Sequence, residues 1–335
     1  VLAVFLPPLL FDAGFSMRAA AVRREMTWIA LFGLAGTVIA GSMVFLILTL
    51  TGFSSGEAIL LAAILAATDP VSIFAALRRL HTPERLRVAL EGESLVNDGV
   101  AVVLFAIALS VVASQLVGVG GVLGLFTVLT LVGLLVGLLG GVASRWLLAR
   151  VGRPFQLPIT VVVAYGVYLL AGLLRGSGLL AVIALSLVLG GAYHPATHHL
   201  LHRFWRSLGF LMSSVVFFLV GLQVHLNDVL AVWVRLLLVV AAVLVARTVM
   251  VFLLTISRGD LWPWTWRLGL VWAGLRGALS LALALSVPAS VPARGQILLL
   301  AFGFIFLSLA IQGLSTGPVF TALGITRQTA VKTVR

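Results

Sequence analysis

The chemistry available to this sequence is concentrated in carboxylates that sit inside apolar runs. Asp69 lies in "ATDPVSIFAAL" (67–77), beside Pro70, deep in a run that begins near Ala58. Asp98 lies in "EGESLVNDGVAVVLF" (91–105). There Ser94 and Asp98 are spaced i,i+4 and share a helix face, as do Glu93 and Asn97 one position round. Oxygen donors of this kind suit hard cations. An ionised Asp98 can also exchange a metal ion for a proton, because either satisfies the same negative charge. Asp12 and Arg276 are further ionisable residues within apolar runs. Such a residue in hydrocarbon is costly unless paired or hydrated, and marks a functional site by default.

Pro70 removes a backbone donor and clashes with the preceding turn. Thr68 and Asp69 are good N-cap residues, and proline suits the first helical position. The segment therefore reads as a helix that stops and restarts, leaving carbonyls free, that of Thr68 among them. Breaks of this kind are tolerated only against a cavity or protein, and they point to transporter binding sites. A second candidate, "WAGLRGALSLALALSVP" (272–288), places Gly274 and Gly277 around Arg276. The plainer reading of Asp69 is an N-cap, which is compatible with ion binding. The plainer reading of Asp12 is a helix-end carboxylate near Arg18, and that of Glu91 a solvated entrance residue.

The elements that must position these residues are membrane helices. Of the 335 residues, 61% are hydrophobic and 10% charged, which no soluble core can accommodate. Apolar runs of about 18 residues or more recur along the chain. They place spans at 1–17, 27–51, 56–77, 90–113, 117–148, 157–174, 178–192, 205–226, 229–257, 264–287 and 295–320. The long, Gly-rich fifth span is expected to tilt or to include a loop. Basic residues alternate between connections: Arg18, Arg23 and Arg24 in the first loop, none in the second, Arg78, Arg79, Arg85 and Arg87 in the third, none in the fourth. The sixth and tenth loops hold only Arg175 and Arg294. The positive-inside rule then puts the odd loops and the C-terminus in the cytoplasm.

Asp69 lies nine positions before Arg78, and Asp98 eleven after Arg87. At the helical rise both sit about 13–17 Å deep in a core about 30 Å thick. Asp12, six positions before Arg18, is shallower. The third and tenth spans run in opposite directions, as inverted repeats require. We divide the single transmembrane domain (1–335) into a first repeat (1–115), a linker helix (116–150) and a second repeat (151–325). Six spans follow the linker and four precede it, so a thirteen-helix parent is expected, and the chain opens at Val1 inside an apolar stretch.

The formal charge of +12 does not indicate nucleic acid, because the basic residues cluster in short loops. Without cysteine, disulfides, zinc-thiolate sites and thiol catalysis are excluded. No cleavable signal peptide is evident and no cofactor is implied. His194, His198, His199 and His202 read as a basic surface helix, with a pH sensor or metal site as alternatives. Trp262, Trp264 and Trp266 read as an interfacial belt, and Gly118–Gly121 as close helix packing.

"LLFDAGFSMR", "ATDPVSIFAALRRL", "EGESLVNDGVAVVLF", "FFLVGLQV" and "GLRGALSLALALSVP" together resemble the signature segments of monovalent cation:proton antiporters, in the NhaP-like sodium/proton branch. The resemblance covers nearly the whole chain in order. It implies an all-α polytopic fold of two inverted repeats with crossed discontinuous helices, with 11 spans present of 13. It implies Na⁺ or Li⁺ exchanged for H⁺ by a core bundle moving against a dimerisation scaffold, in a homodimer in the plasma (inner) membrane. Asp98 would bind the ion and proton, with Ser94 and the Thr68 carbonyl as further Na⁺ ligands. Asp69 and Asn97 would support the site, and Glu93 would pair with Arg276. Asp12 stands where the branch often has Glu, and its shorter reach leaves direct coordination open. Asn97 before Asp98 resembles the electroneutral antiporters.

A K⁺/H⁺ antiporter of the same fold is the nearest alternative. An intramembrane aspartyl protease would use Asp69 and Asp98, but its Tyr-Asp and Gly-x-Gly-Asp motifs are missing around these aspartates. An ion channel is disfavoured because two broken helices around one charged site suit alternating access.

Overall fold

The computed structural model describes residues 2–17, 19–69, 82–114, 118–190, 195–222, 226–256 and 262–325. The described residues are helical throughout, with short connections. In chain order the α-helices are α1 (Leu2–Phe15), α2 (Ala19–Ala30), α3 (Thr37–Leu50), α4 (Ser55–Ile64), α5 (Glu84–Val112), α6 (Val119–Leu148), α7 (Arg153–Leu173) and α8 (Gly178–Gly190). They continue as α9 (Pro195–Gly221), α10 (Leu226–Ala231), α11 (Trp233–Thr255), α12 (Trp264–Trp272), α13 (Ala278–Leu285), α14 (Arg294–Leu307) and α15 (Leu314–Ala322). Single π-helical turns, Leu31–Gly36 and Ser308–Gly313, join α2 to α3 and α14 to α15.

Among the described residues six helical stretches are long and apolar enough to cross a membrane: Ala20–Leu50, Glu84–Val112, Val119–Leu148, Pro154–Leu173, Trp233–Thr255 and Arg294–Ala322. Of the other segments read from sequence, 205–226 falls on α9, an unbroken helix of 27 residues, and the rest are shorter or interrupted helices among the described residues. Leu131, Leu135 and Leu139 of α6 are more than half exposed, an apolar surface that suits lipid and not water. The chain is an integral membrane protein.

Local chemistry sets the helix ends. Ser54 and Glu57 form a reciprocal capping box at the start of α4. Pro83 and Pro263 stand immediately before α5 and α12. The fifth sequence span is one unbroken helix, α6, with no loop inside it. Gly118 and Gly120 are not packing positions: a Cβ at either meets nothing within 4 Å, and Gly118 has φ +87 at the N-cap of α6. The close approach lies further along. A Cβ at Gly137 would come within 2.3 Å of the Ala181 carbonyl oxygen of α8, and Gly133 and Gly141 face α8 on the same stripe.

Trp262 also departs from the sequence reading. It is fully buried and packs edge-on against Trp28 and Phe32, with ring centroids 5.0 and 5.4 Å away. Its neighbours are other helices, so it joins them and does not sit at a lipid interface. Trp264 is the exposed member of the trio, at 62%.

Candidate functional site

The two interruptions found in the sequence meet in the protein interior. After α4 the chain leaves the helical path at residues 65–69, and Pro70 lies outside the described residues. Between α12 and α13 the backbone is irregular at 274–277. Asp69 N–H donates to the Leu275 carbonyl at 2.8 Å. Arg276 Nε donates to the Leu65 carbonyl at 2.6 Å, and Ser280 Oγ to that of Ala67 at 3.5 Å. Each break thus supplies partners for backbone groups that the other leaves outside a helix. At Gly277 a Cβ would lie 2.3 Å from Asp69 Oδ2, so any side chain there must displace the Asp69 carboxylate. The Asp69 carboxylate stands at the N-terminal end of α13, where the helix dipole favours an anion.

The polar stripe on α5 forms the facing wall. Thr68 N–H donates to Asn97 Oδ1 at 3.3 Å, and Asn97 Nδ2 donates to Thr68 Oγ1 at 2.6 Å. Ser94 Oγ, fully buried, lies 2.6 Å from Thr68 Oγ1. Ser94 and Asn97, three residues apart on one helix face, therefore both grip Thr68. Asp98 is buried and lines a narrow cavity with Thr68, Asp69, Ser213, Gly277 and Ser280. Its Oδ1 is buried and has no hydrogen-bond partner among the described residues. An unmet buried oxygen on a charged group is costly, about 1–3 kcal/mol or more, so it suits an oxygen-seeking occupant.

Asp12 does not line this cavity. α1 contributes Leu6, Leu9 and Leu10 to it, whereas Asp12 is half-buried, faces Gly209 of α9, and lies 3.4 Å from Ser16 Oγ. Ser213 and Ser280 are cavity residues that the sequence reading does not single out. The signal for Ser280 is its i,i+4 spacing from Arg276; that for Ser213 is a serine pair within an apolar run.

The expected Glu93–Arg276 pair is corrected. Glu93 is held by Arg247 of α11 through both carboxylate oxygens, with Arg247 Nη2 to Glu93 Oε2 at 3.0 Å. Arg247 also donates from Nε and Nη2 to the Leu270 carbonyl at 3.2 and 2.9 Å. Arg276 sits in the break itself, so its donors are drawn to nearby unwound backbone, the Leu65 and Gly274 carbonyls. A Cβ at Gly274 would lie 3.1 Å from Arg247 Nε and 3.3 Å from Arg276 Nη1, so the two guanidiniums flank this glycine. Arg247 is legible in principle: it is the lone charge in "LVVAAVLVARTVMVFLL" (238–254).

Of the histidines, His194 and the His198 side chain lie outside the described residues; His199 is exposed and His202 half-buried on α9. No group of three or more His, Cys, Asp or Glu among the described residues is placed to hold a metal ion.

Residues 1–322 match the family described as sodium/hydrogen exchanger, transmembrane. The chain is 35% identical over 338 residues to the Na⁺/H⁺ antiporter ApNhaP of Aphanothece halophytica, covering 97% of this chain and 65% of that protein. It is 33% identical over 339 residues to the Na⁺/H⁺ antiporter NhaH of Halobacillus aidingensis, covering 97% and 83%. Its fold superposes on the sodium proton antiporter MjNhaP1 of Methanocaldococcus jannaschii with a TM-score of 0.83, at 22% identity and covering 96% and 84%. The chain spans a little under two thirds of the length of relatives such as ApNhaP.

Proposed function

The chain belongs to the transmembrane sodium/hydrogen exchanger family, and from that premise we propose that it is a secondary antiporter, not an enzyme, exchanging Na⁺ or Li⁺ for H⁺ one for one. The observation that carries this reading is Asp98 Oδ1, a buried carboxylate oxygen without a hydrogen-bond partner among the described residues, in a cavity shared with the Thr68–Asp69 break. The cation is held by Asp98, the Thr68 carbonyl and Ser94, with Asp69 and Asn97 fixing the break. Glu93 and Arg247 form a structural pair, and Arg276 holds the crossing together. When the cation leaves, a proton takes its place on Asp98.

Charge supports the stoichiometry. At the crossing of the two breaks the described charged groups are three carboxylates (Asp69, Glu93, Asp98) and two guanidiniums (Arg247, Arg276), while the buried Glu25 and Glu57 lie apart, paired with Arg85 and Arg235. Three minus two leaves one negative charge, which one monovalent cation or one proton neutralises.

The repeat organisation read from sequence finds support in packing: α4, which leads into its break, lies against α13, which leads out of the other. Two broken helices traversed in opposite senses pack in this way. On the same reading the protein lies in the plasma (inner) membrane with a cytoplasmic C-terminus, and the exposed apolar face of α6 meets lipid or a second copy in a homodimer.

The test is dequenching of a pH-sensitive dye in proteoliposomes after separate additions of Na⁺, Li⁺ and K⁺. Na⁺ or Li⁺ should release protons from the wild type and not from Asp98→Asn. Normal exchange by Asp98→Asn, or a response confined to K⁺, overturns the reading.

A further inference from the structure

A second cavity, separate from the Asp98 site, opens between α5, α6, α7 and α8. It is a partly open cleft with a cavity volume of about 550 Å³, with Val102, Val103 and Ala106 of α5, Leu129 of α6, and Tyr168 and Gly172 of α7 among its walls. Along α5 these wall residues lie four to eight positions beyond Asp98, about 6–12 Å at the helical rise. The cavity therefore runs from near mid-depth toward the α7–α8 turn, within the hydrocarbon of one leaflet. Apolar walls at this depth select a hydrocarbon occupant.

The α7–α8 turn at its rim carries Arg175. This residue is exposed, adopts a left-handed backbone with φ 60, and has no ion-pair partner among the described residues. It is also the lone basic residue in its connection, on the side of the chain where arginines are scarce. A guanidinium at that level matches a phosphate in geometry and charge. An apolar cleft below an exposed guanidinium calls for a molecule with both parts in register.

We infer that this cavity holds an acyl chain of an anionic phospholipid whose headgroup is bound by Arg175. A second protein copy would need a protruding apolar ridge to enter a cleft between four helices, whereas a lipid chain enters from the bilayer it already occupies. The inference concerns binding and stands whichever ion the protein carries.

The full chain, purified in mild detergent, is given phosphatidylglycerol or phosphatidylcholine of identical chains and examined by native mass spectrometry. The wild type should retain phosphatidylglycerol about fivefold better than phosphatidylcholine, the preference one basic residue confers. Gly172→Phe fills the cavity from a position where a Cβ meets nothing within 4 Å, and should lose both lipids. Arg175→Gln should keep chain binding and lose the headgroup preference. If Gly172→Phe proves misfolded by size-exclusion chromatography, Ala106→Leu narrows the same space from α5 and should weaken retention of both lipids. Equal retention by wild type and whichever cavity-filling variant folds overturns the inference. So does the absence of headgroup preference in the wild type, or retention of detergent or a second copy alone.

Discussion

Glu93 and Asp98 sit five residues apart on one buried helix, and their surroundings assign them opposite tasks. Glu93 has both oxygens taken by Arg247, so it is a fixed strut. Asp98 has one oxygen without a hydrogen-bond partner among the described residues, which on the proposed reading lets it exchange partners. Removing one member of a buried ion pair strands the other charge, at about 3–5 kcal/mol, while replacing both by apolar residues of similar size is close to neutral. Arg247→Met should therefore lower the thermal unfolding temperature of the detergent-purified protein, and the double variant Glu93→Met/Arg247→Met should recover most of the loss. Recovery would distinguish a strut from a group needed for its charge. The carboxylates were legible in the sequence because a charge in an apolar run stands out whatever its partner. The partner was not, because two buried arginines on different spans compete for Glu93, and only their spatial placement decides between them.

At the scale of elements, the two interrupted helices depend on how closely they pass. The tightest point is Gly277, where any side chain enters the space of the Asp69 carboxylate. Gly277→Ala should leave a folded, membrane-inserted protein with native helical circular dichroism, but should push Asp69 away and reduce exchange at least about tenfold, a barrier change of roughly 1.4 kcal/mol. Gly120→Ala, facing open space, is the matched control and should change neither property. The sequence located both interruptions, because Pro70 and the Gly274–Gly277 pair break helices by their own chemistry. It misassigned the packing glycines, since a Gly run at 118–121 and a stripe at 133, 137 and 141 look equally small. Only the position of α8 separates a helix start from a contact. Trp262 was misread for a related reason: a tryptophan near a span end suits lipid headgroups and neighbouring helices alike.

For the whole molecule, on the proposed reading one surplus negative charge at the crossing makes the loaded site neutral with either occupant. Exchange in proteoliposomes should then be insensitive to a potassium-diffusion potential set with valinomycin, and a rate that changes with that potential would contradict the one-for-one reading. On the proposed reading, protons and cations also compete for a single carboxylate. Acidification must therefore raise the half-saturating Na⁺ concentration, by up to about tenfold per pH unit where the proton dominates, without lowering the maximal rate at saturating Na⁺. A maximal rate that falls while half-saturation stays constant would require a separate proton site.

The main-chain bond from Asp69 to Leu275 and the grip of Ser94 and Asn97 on Thr68 have a consequence for how the cargo is felt from each aqueous compartment. Those links span three helices, so on the proposed reading the coordinating oxygens move as a block and keep their mutual spacing wherever the block stands. The binding constant for sodium should accordingly be the same whether it is offered from inside or outside at matched acidity, and the direction of net flow would be set by the gradients alone.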